Sequence, residues 1–435
     1  MRTVRILLLA FFSILSAQAL AQDDESSQSS NGSSYSVLGV GIPQDLVSDN
    51  FRAHGVLGVS GIVSETTSLN NPALWSRTFY TQATTSLRLS SYKSTSGTSA
   101  EQSNTNFSAG YLQMLFPVYP GRLGLSLSLA PVSRSNFRIV ESGTFSSASI
   151  DTVTFSNDVQ SSGGVNKFEA GFGLKLTKNI SVGYAPSVAF LTLDNSEALS
   201  FNSASFQSQN QITSITGTAF SQRFGLAANF SNIFSETDRI AFGATLSLPY
   251  TIGAKSKRTA DKIIDGTEEK IDISSTLANT AGDINMPLEA AFGLGYAPSQ
   301  FMQFAVEGSY QKWSDFRNEI NPDEEAFFSD RLNIGFGGQY HPYKNNRDSF
   351  FSRFKYSGGV SYDSGHLTID GNDINTLWLH TGLGFLTRRS VSSVDFSFQY
   401  GFRGTTQNNL IEERIWQLGF SINLAEIMFI RPKLR

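Results

Sequence analysis

From about residue 78 to residue 424 the chain alternates apolar and polar side chains with a period of two, the mark of a strand whose two faces meet different surroundings. In Leu123-Gly-Leu-Ser-Leu-Ser-Leu129 every odd position is Leu and every even one is Gly or Ser. Val394, Phe396, Phe398, Tyr400 and Phe402 alternate with Asp395, Ser397, Gln399, Gly401 and Arg403, and Trp416, Leu418, Phe420, Ile422 and Leu424 alternate with Gln417, Gly419, Ser421 and Asn423. A helix would place Leu123 and Leu125 on different faces. The runs extend over about ten to fourteen residues, where a soluble strand averages about five or six and a tilted membrane strand needs about nine to eleven. One face carries Phe, Leu, Tyr and Trp and the other Gly, Ser and Gln, as expected with lipid outside and a polar lumen inside. A β-sandwich with one wetted face would also alternate, but with shorter strands. In lipid an open sheet edge leaves its N–H and C=O groups unpaired, so the pattern predicts an all-β fold, a closed transmembrane antiparallel β-barrel.

The turn residues give a strand count. Short connections occur at Tyr119-Pro-Gly121, Thr177-Lys-Asn179, Pro298-Ser-Gln300 and Arg388-Arg-Ser390, with two longer ones around 232–238 and 342–348. Polar loops near 94–103, 143–160, 195–209, 255–284, 314–329, 364–374 and 404–410 alternate with them. Six turns and seven loops join fourteen strands, and an even count puts both barrel termini at the turn end, the periplasmic end of a bacterial barrel.

The remaining segments read differently. Arg2 and Arg5, the apolar run Ile6 to Leu15 and the small-residue site Ala19-Leu20-Ala21 predict a signal peptide over 1–21, too short in its apolar part for a permanent membrane helix. Residues 22–34 form a polar, Ser-rich tail. Residues 35–77 do not alternate, yet Leu38, Val40, Phe51, Val56, Leu69 and Trp75 need something to bury against. A fourteen-stranded barrel is wide enough to hold water unless plugged. The segment is therefore expected as a plug, or hatch, inside the lumen of the barrel spanning 78–424. A separate periplasmic subdomain is the alternative, though about forty residues without Cys or metal rarely fold alone. Residues 425–435 are expected as a periplasmic tail.

Composition narrows the chemistry. There is no Cys, which removes thiol catalysis and disulfides. The formal charge is −4, and −6 once Arg2 and Arg5 are removed, so there is no basic footprint for nucleic acid. Four His are scattered at 54, 341, 366 and 380, and no Ser/His/Asp grouping emerges. The expectation is a protein that is not an enzyme and carries no cofactor or metal. The alternation turns Glu169, Arg223, Glu289, Glu307, Lys355, Asp395 and Arg403 into the lumen, either to form ion pairs that hold the hatch, since buried unpaired charge is costly, or to meet a ligand headgroup. Trp378 and His380 also point inward, to line a ligand pocket or to pack on the hatch. Pro131 and Pro186 interrupt the third and fifth strands as kinks, bulges or strand ends, because proline has no N–H to give the ladder.

The order of signal peptide, a segment ending Asn71-Pro72-Ala73, and fourteen strands resembles the FadL family of outer-membrane transporters for long-chain fatty acids and other hydrophobic compounds. Met286-Pro-Leu-Glu-Ala-Ala-Phe-Gly-Leu-Gly-Tyr-Ala-Pro298 and Phe304-Ala-Val-Glu-Gly-Ser-Tyr-Gln-Lys-Trp-Ser-Asp-Phe316 are similar to that family's eighth and ninth strands. Arg331 to Tyr340 and Tyr356 to Ser364 are similar to its tenth and eleventh. The start Tyr35-Ser-x-x-Gly-x-Gly41 and the ending Phe429-Ile-Arg-Pro-Lys433 look like the Bacteroidetes-type branch. The resemblance implies a location in the outer membrane of a Gram-negative bacterium, a hatch motif at Asn71, Pro72 and Ala73, and passive transport of hydrophobic, fatty-acid-like molecules. It also implies release sideways into membrane lipid through a kink in the third strand, which makes Pro131 the candidate opening, with Trp378, His380, Glu289, Glu307 and Arg223 as candidate lining. Discharge into the bilayer is downhill for an apolar ligand, by about 0.8 kcal/mol per CH₂ removed from water. FadL-like barrels of that branch include partners of a protein-export machine, so a second reading is an accessory barrel of a secretion complex. A general porin for polar solutes is a third reading, weakened by the hatch.

Overall fold

The first strand pairs with the last, so the sheet has no beginning and no end. A computed structural model describes residues 32–62, 68–96, 102–147, 150–203, 205–264, 267–343, 349–386 and 392–426. The expected signal peptide, the tail up to Asn31 and residues 427–435 lie outside them. The barrel strands are β1 Thr81–Ser96, β2 Gln102–Tyr119, β3 in two parts (Leu123–Pro131 and Ser133–Ser147), β4 Ile150–Lys175, β5 Ile180–Phe201 and β6 Gln209–Ser231. Then come β7 (Arg239–Ser247 and Tyr250–Ile264), β8 (Ala281–Met286 and Glu289–Ser299), β9 Met302–Gln311, β10 Arg331–Tyr340, β11 Phe354–Asp363, β12 Thr376–Leu386, β13 Ser393–Gly404 and β14 Ile411–Glu426. Each pairs antiparallel with its neighbours, and β14 closes on β1 from Thr81–Glu426 to Ser96–Ile411. This is the closed fourteen-stranded barrel that the alternation predicts.

The outer wall is apolar. Phe292 is 68% exposed and Phe396 55%, while their strand neighbours Gly293 and Asp395 are buried inside. Such an apolar band is stable only against hydrocarbon.

Several strands outrun expectation, β7 and β8 into the stretch 255–284 among them. β4 has 26 residues, β5 has 22 and β6 has 23, so much of 143–160 and 195–209, expected as loop, is paired strand. Ser156-Asn-Asp158 reads as loop because it is polar, but above the membrane both faces of a hairpin can be wet and the ladder continues. Pro186 does not interrupt β5. The ladder to β6 runs through it, opposite Gln222, and only the β4 side skips, from Ser187–Glu169 to Tyr184–Phe172. The breaks in β7 and β8 fall instead at Pro249 and Pro287, beside the paired Tyr250 and Met286.

The lumen is not uniformly polar. At the loop end Leu191, Leu193, Ile215, Ile252, Ile284 and Met286 face inward and pack with Val40 of the hatch and with Trp313, Phe316 and Ile320 from the β9–β10 connection. Trp313 and Phe328 stack at 5.7 Å between ring centroids, so this connection folds inward as an aromatic cap. At the turn end the inward residues are small, because hatch backbone presses on them. A Cβ on Gly183 would lie 2.3 Å from the carbonyl carbon of Pro72, and one on Gly337 would lie 1.8 Å from the carbonyl oxygen of His54.

One interval of the wall is unpaired. β2 and β3 separate after Leu112–Leu129. Beyond that point, among the described residues, β2 pairs with β1, and the second half of β3 has β4 as its one barrel neighbour. The break falls at Pro131, between the two parts of β3. Its freed edge is capped in part by the hatch, Ile42 lying opposite Arg134 and Pro43 opposite Ser133.

Candidate functional site

Asn71, Pro72 and Ala73 lie where the N-terminal segment meets the wall. Asn71 begins a single 3-10 stretch, Pro72–Arg77, and its Oδ1 accepts from the Ala73 N–H at 3.0 Å. Its Nδ2 donates to Val59 O at 2.8 Å and to Leu226 O of β6 at 3.0 Å, tying two hatch turns to the wall. Pro72 suits this place because an N–H there would have no helical partner. It lies on glycines 173, 183 and 225 of three successive strands. Trp75, fully buried, donates to Ser68 O at 2.9 Å.

The inward charges divide between hatch and wall. Glu307 accepts from the backbone N–H groups of Val59 at 2.9 Å and Ser60 at 2.8 Å. Arg223 donates to Leu69 O at 2.9 Å and is paired with Glu169. Lys355 meets Asp395 at 3.2 Å and Arg403 meets Glu413 at 3.4 Å. Glu289 shares the wall near Lys167 and Arg223 without a close ion pair among the described residues. Arg331 binds two carboxylates in forked fashion, Asp363 at 2.7 and 2.9 Å and Asp45 of the hatch at 2.8 and 2.9 Å. Such forks match the guanidinium geometry.

The candidate residues do not converge on one point. Trp378 and His380 line a lumen cavity of ≈ 130 Å³ together with Arg331, Asp363 and Gln399. Glu289, Glu307 and Arg223 lie outside its lining, and so does Pro131, which borders a smaller space beside Tyr111 and Arg88. The cavity sits behind the unpaired interval, since Asn106 and Ser108 of β2 and Arg134 and Asn136 of β3 reach it from the two lips. Its lining is polar, with Arg52, Arg88 and Arg134 prominent. These three had not been singled out from the sequence. Arg88 was within reach of the same alternation, lying between Leu87 and Leu89. Arg52 stands in the aperiodic hatch, and Arg134 follows the kink that breaks the period.

Outside the strands, burial in the aromatic cap pushes the His366 imidazole down to about 3. Its ring centroid lies 5.0 Å from that of Trp313.

The chain is a closed fourteen-stranded antiparallel barrel with its N-terminal segment packed against the inner wall. Solved structures share the fold: a Pseudomonas aeruginosa FadL homologue (10% identity, TM-score 0.56, 89% of this chain and 100% of that one), the P. putida toluene transporter TodX (14%, 0.55, 89% and 100%) and the Ralstonia pickettii toluene transporter TbuX (12%, 0.51, 88% and 98%). No curated protein matches. The family model for BamG matches residues 3–435, and the chain belongs to that family.

Proposed function

We propose that the protein is an outer-membrane barrel of a Gram-negative bacterium through which a fatty-acid-like amphiphile moves passively between the lumen and the surrounding lipid, leaving sideways beside Pro131. The observation that carries this reading is the unpaired interval between β2 and β3, with a cavity directly behind it. Two proteins of the same fold are toluene transporters, which supports an apolar cargo. The polar lining here favours a cargo with one polar end, whose tail gains by entering hydrocarbon. The hatch motif and the inward Trp378 and His380 would shape the path.

The test is uptake of a fluorescent medium-chain fatty acid by a host lacking its own fatty-acid channel. Ser108→Trp, on the β2 lip of the cavity, is expected to lower uptake to the level of cells without the protein. Uptake unchanged by this variant, or absent in the parent protein, would defeat the reading.

A second reading, an accessory barrel of a protein-secretion complex, is favoured by a groove of ≈ 630 Å³ on the outer wall. Its floor is Ala244, Ala290 and Gly308, ringed by Phe292, Tyr310 and Leu332. A groove of this size could take an apolar segment of a partner. Co-purification of a secretion complex with the parent protein, lost in Gly308→Phe, would support it.

A further inference from the structure

Three guanidinium groups line the lumen cavity with too few carboxylates beside them for full neutralisation. Arg52 projects from the one-turn hatch helix Asp49–Arg52, Arg88 from β1 and Arg134 from β3 beyond the kink, and all three line the cavity. Arg88 lies within electrostatic reach of both others. The carboxylate nearest them is Asp49, 3.8 Å from Arg52 Nε and 3.8 Å from Arg88 Nη2. That is an attraction but not a hydrogen bond. Neither Asp49 oxygen has a hydrogen-bond partner, and the Nε atoms of Arg52 and Arg88 have none. Arg134 spans the lips to donate to Ala109 O and meets no carboxylate among the described residues.

The other charges near the cavity are paired, with one carboxylate in surplus. Asp45 and Asp363 share Arg331, Arg403 meets Glu413, and Lys355 meets Asp395. Arg52, Arg88 and Arg134 carry three positive charges, against Asp49 and the one carboxylate charge left over where Asp45 and Asp363 share Arg331, with Asp45 also within electrostatic reach of Arg52, so one positive charge remains in excess. Gln399, 2% exposed, adds an Nε2 donor that has no partner among the described residues. Excess charge removed from bulk water is costly unless an opposite charge and hydrogen bonds accompany it. Arginine forks suit a planar or tetrahedral oxyanion, which can accept two bonds from each.

We propose that this cavity is a binding site for an oxyanion of the phosphate class, held by Arg52, Arg88 and Arg134 with Gln399 as an additional donor. The site stands independently of whether any solute crosses the wall. Because Arg134 lies on one lip of the unpaired interval and Arg88 is paired with Ser108 of the other lip, the oxyanion has two possible sources: a free ion in the lumen, or the headgroup of an anionic lipid whose chains remain in the bilayer.

The test uses the full mature chain in phosphatidylcholine nanodiscs. Inorganic phosphate is titrated calorimetrically in one arm. In the other, phosphatidylglycerol is added to the nanodiscs and retained lipid is counted by native mass spectrometry. Arg88→Gln and Arg134→Gln are each expected to weaken binding at least tenfold. Arg138→Gln, whose guanidinium pairs with Asp158 outside the cavity lining, should leave it unchanged. Arg52→Gln gives a further variant that alters the hatch and not the wall, so a wall variant that fails to fold does not end the test. Phosphate binding identifies the free ion, and retention of phosphatidylglycerol alone identifies the headgroup. No binding in either arm, or binding equal to the parent in all three cavity variants, overturns the proposal.

Discussion

Glu307 of β9 accepts the backbone N–H of Ser60 at 2.8 Å, so a buried carboxylate on the wall grips the backbone of the hatch. A carboxylate that collects neighbouring N–H groups, here those of Val59 and Ser60, makes charge-assisted bonds worth about 1.5–3 kcal/mol each. Glu307→Ala is expected to loosen the turn around residues 58–62 while the barrel stays closed. Hydrogen exchange at Val59 and Ser60 should accelerate at least tenfold, with the heat-modified gel mobility typical of a folded barrel retained. Unchanged exchange would show that the hatch is held elsewhere.

Gly183 and Pro72 touch so closely that no other side chain fits between them. Gly183→Ala forces strand and hatch apart at an expected cost of about 1–3 kcal/mol, read as a lowered melting temperature. Gly253 is the control. A Cβ there meets nothing within 4 Å, so Gly253→Ala should leave the melting temperature unchanged or raise it slightly.

These contacts explain what the sequence made legible. The period of two sufficed for β9 to β14, because within hydrocarbon every outward residue must be apolar and the pattern cannot lapse. It failed for the upper parts of β4 to β6, where water lies beyond the membrane and Ser156, Asn157 and Asp158 can face it from a strand as well as from a loop. Pro131 could be read as a break, but not what caps the edge beyond it, since that depends on the hatch lying against Ser133 and Arg134. The arginine cavity was hidden for the same reason. Arg52, Arg88 and Arg134 come from an aperiodic segment, a regular strand and a kinked one, and only tertiary folding brings them together.

The aromatic cap should respond to acid. His366 titrates near 6.5 when free and at about 3 in the cap, burial being the leading cause. Above pH 6.5 the imidazole is neutral in both the open and the closed cap, so closure carries no proton cost. Between 6.5 and about 3 the opened cap binds a proton that the closed one refuses, and closure weakens by about 1.4 kcal/mol per pH unit. Hydrogen exchange over residues 313–328 is therefore expected to be faster at pH 5 than at pH 7.5, after correction for intrinsic rates. His366→Phe should abolish the difference, and a difference that survives this substitution would assign the pH response to another group.

Arg331 offers the sharpest separation between a charge that stabilises and a charge that is merely compensated. It holds Asp45 of the hatch and Asp363 at the end of β11. Arg331→Met would leave two carboxylates facing each other with their shared cation gone, and breaking a buried pair in this way costs about 3–5 kcal/mol. The triple variant Arg331→Met, Asp45→Asn, Asp363→Asn removes all three charges together, and its cost is expected to be far smaller because no ion is stranded. Urea unfolding of the barrel in detergent micelles, followed by tryptophan fluorescence, measures both. Recovery of most of the loss in the triple variant would show that the network chiefly satisfies its own charges. No recovery would mean that the forked bonds of Arg331 are themselves what fastens hatch to wall.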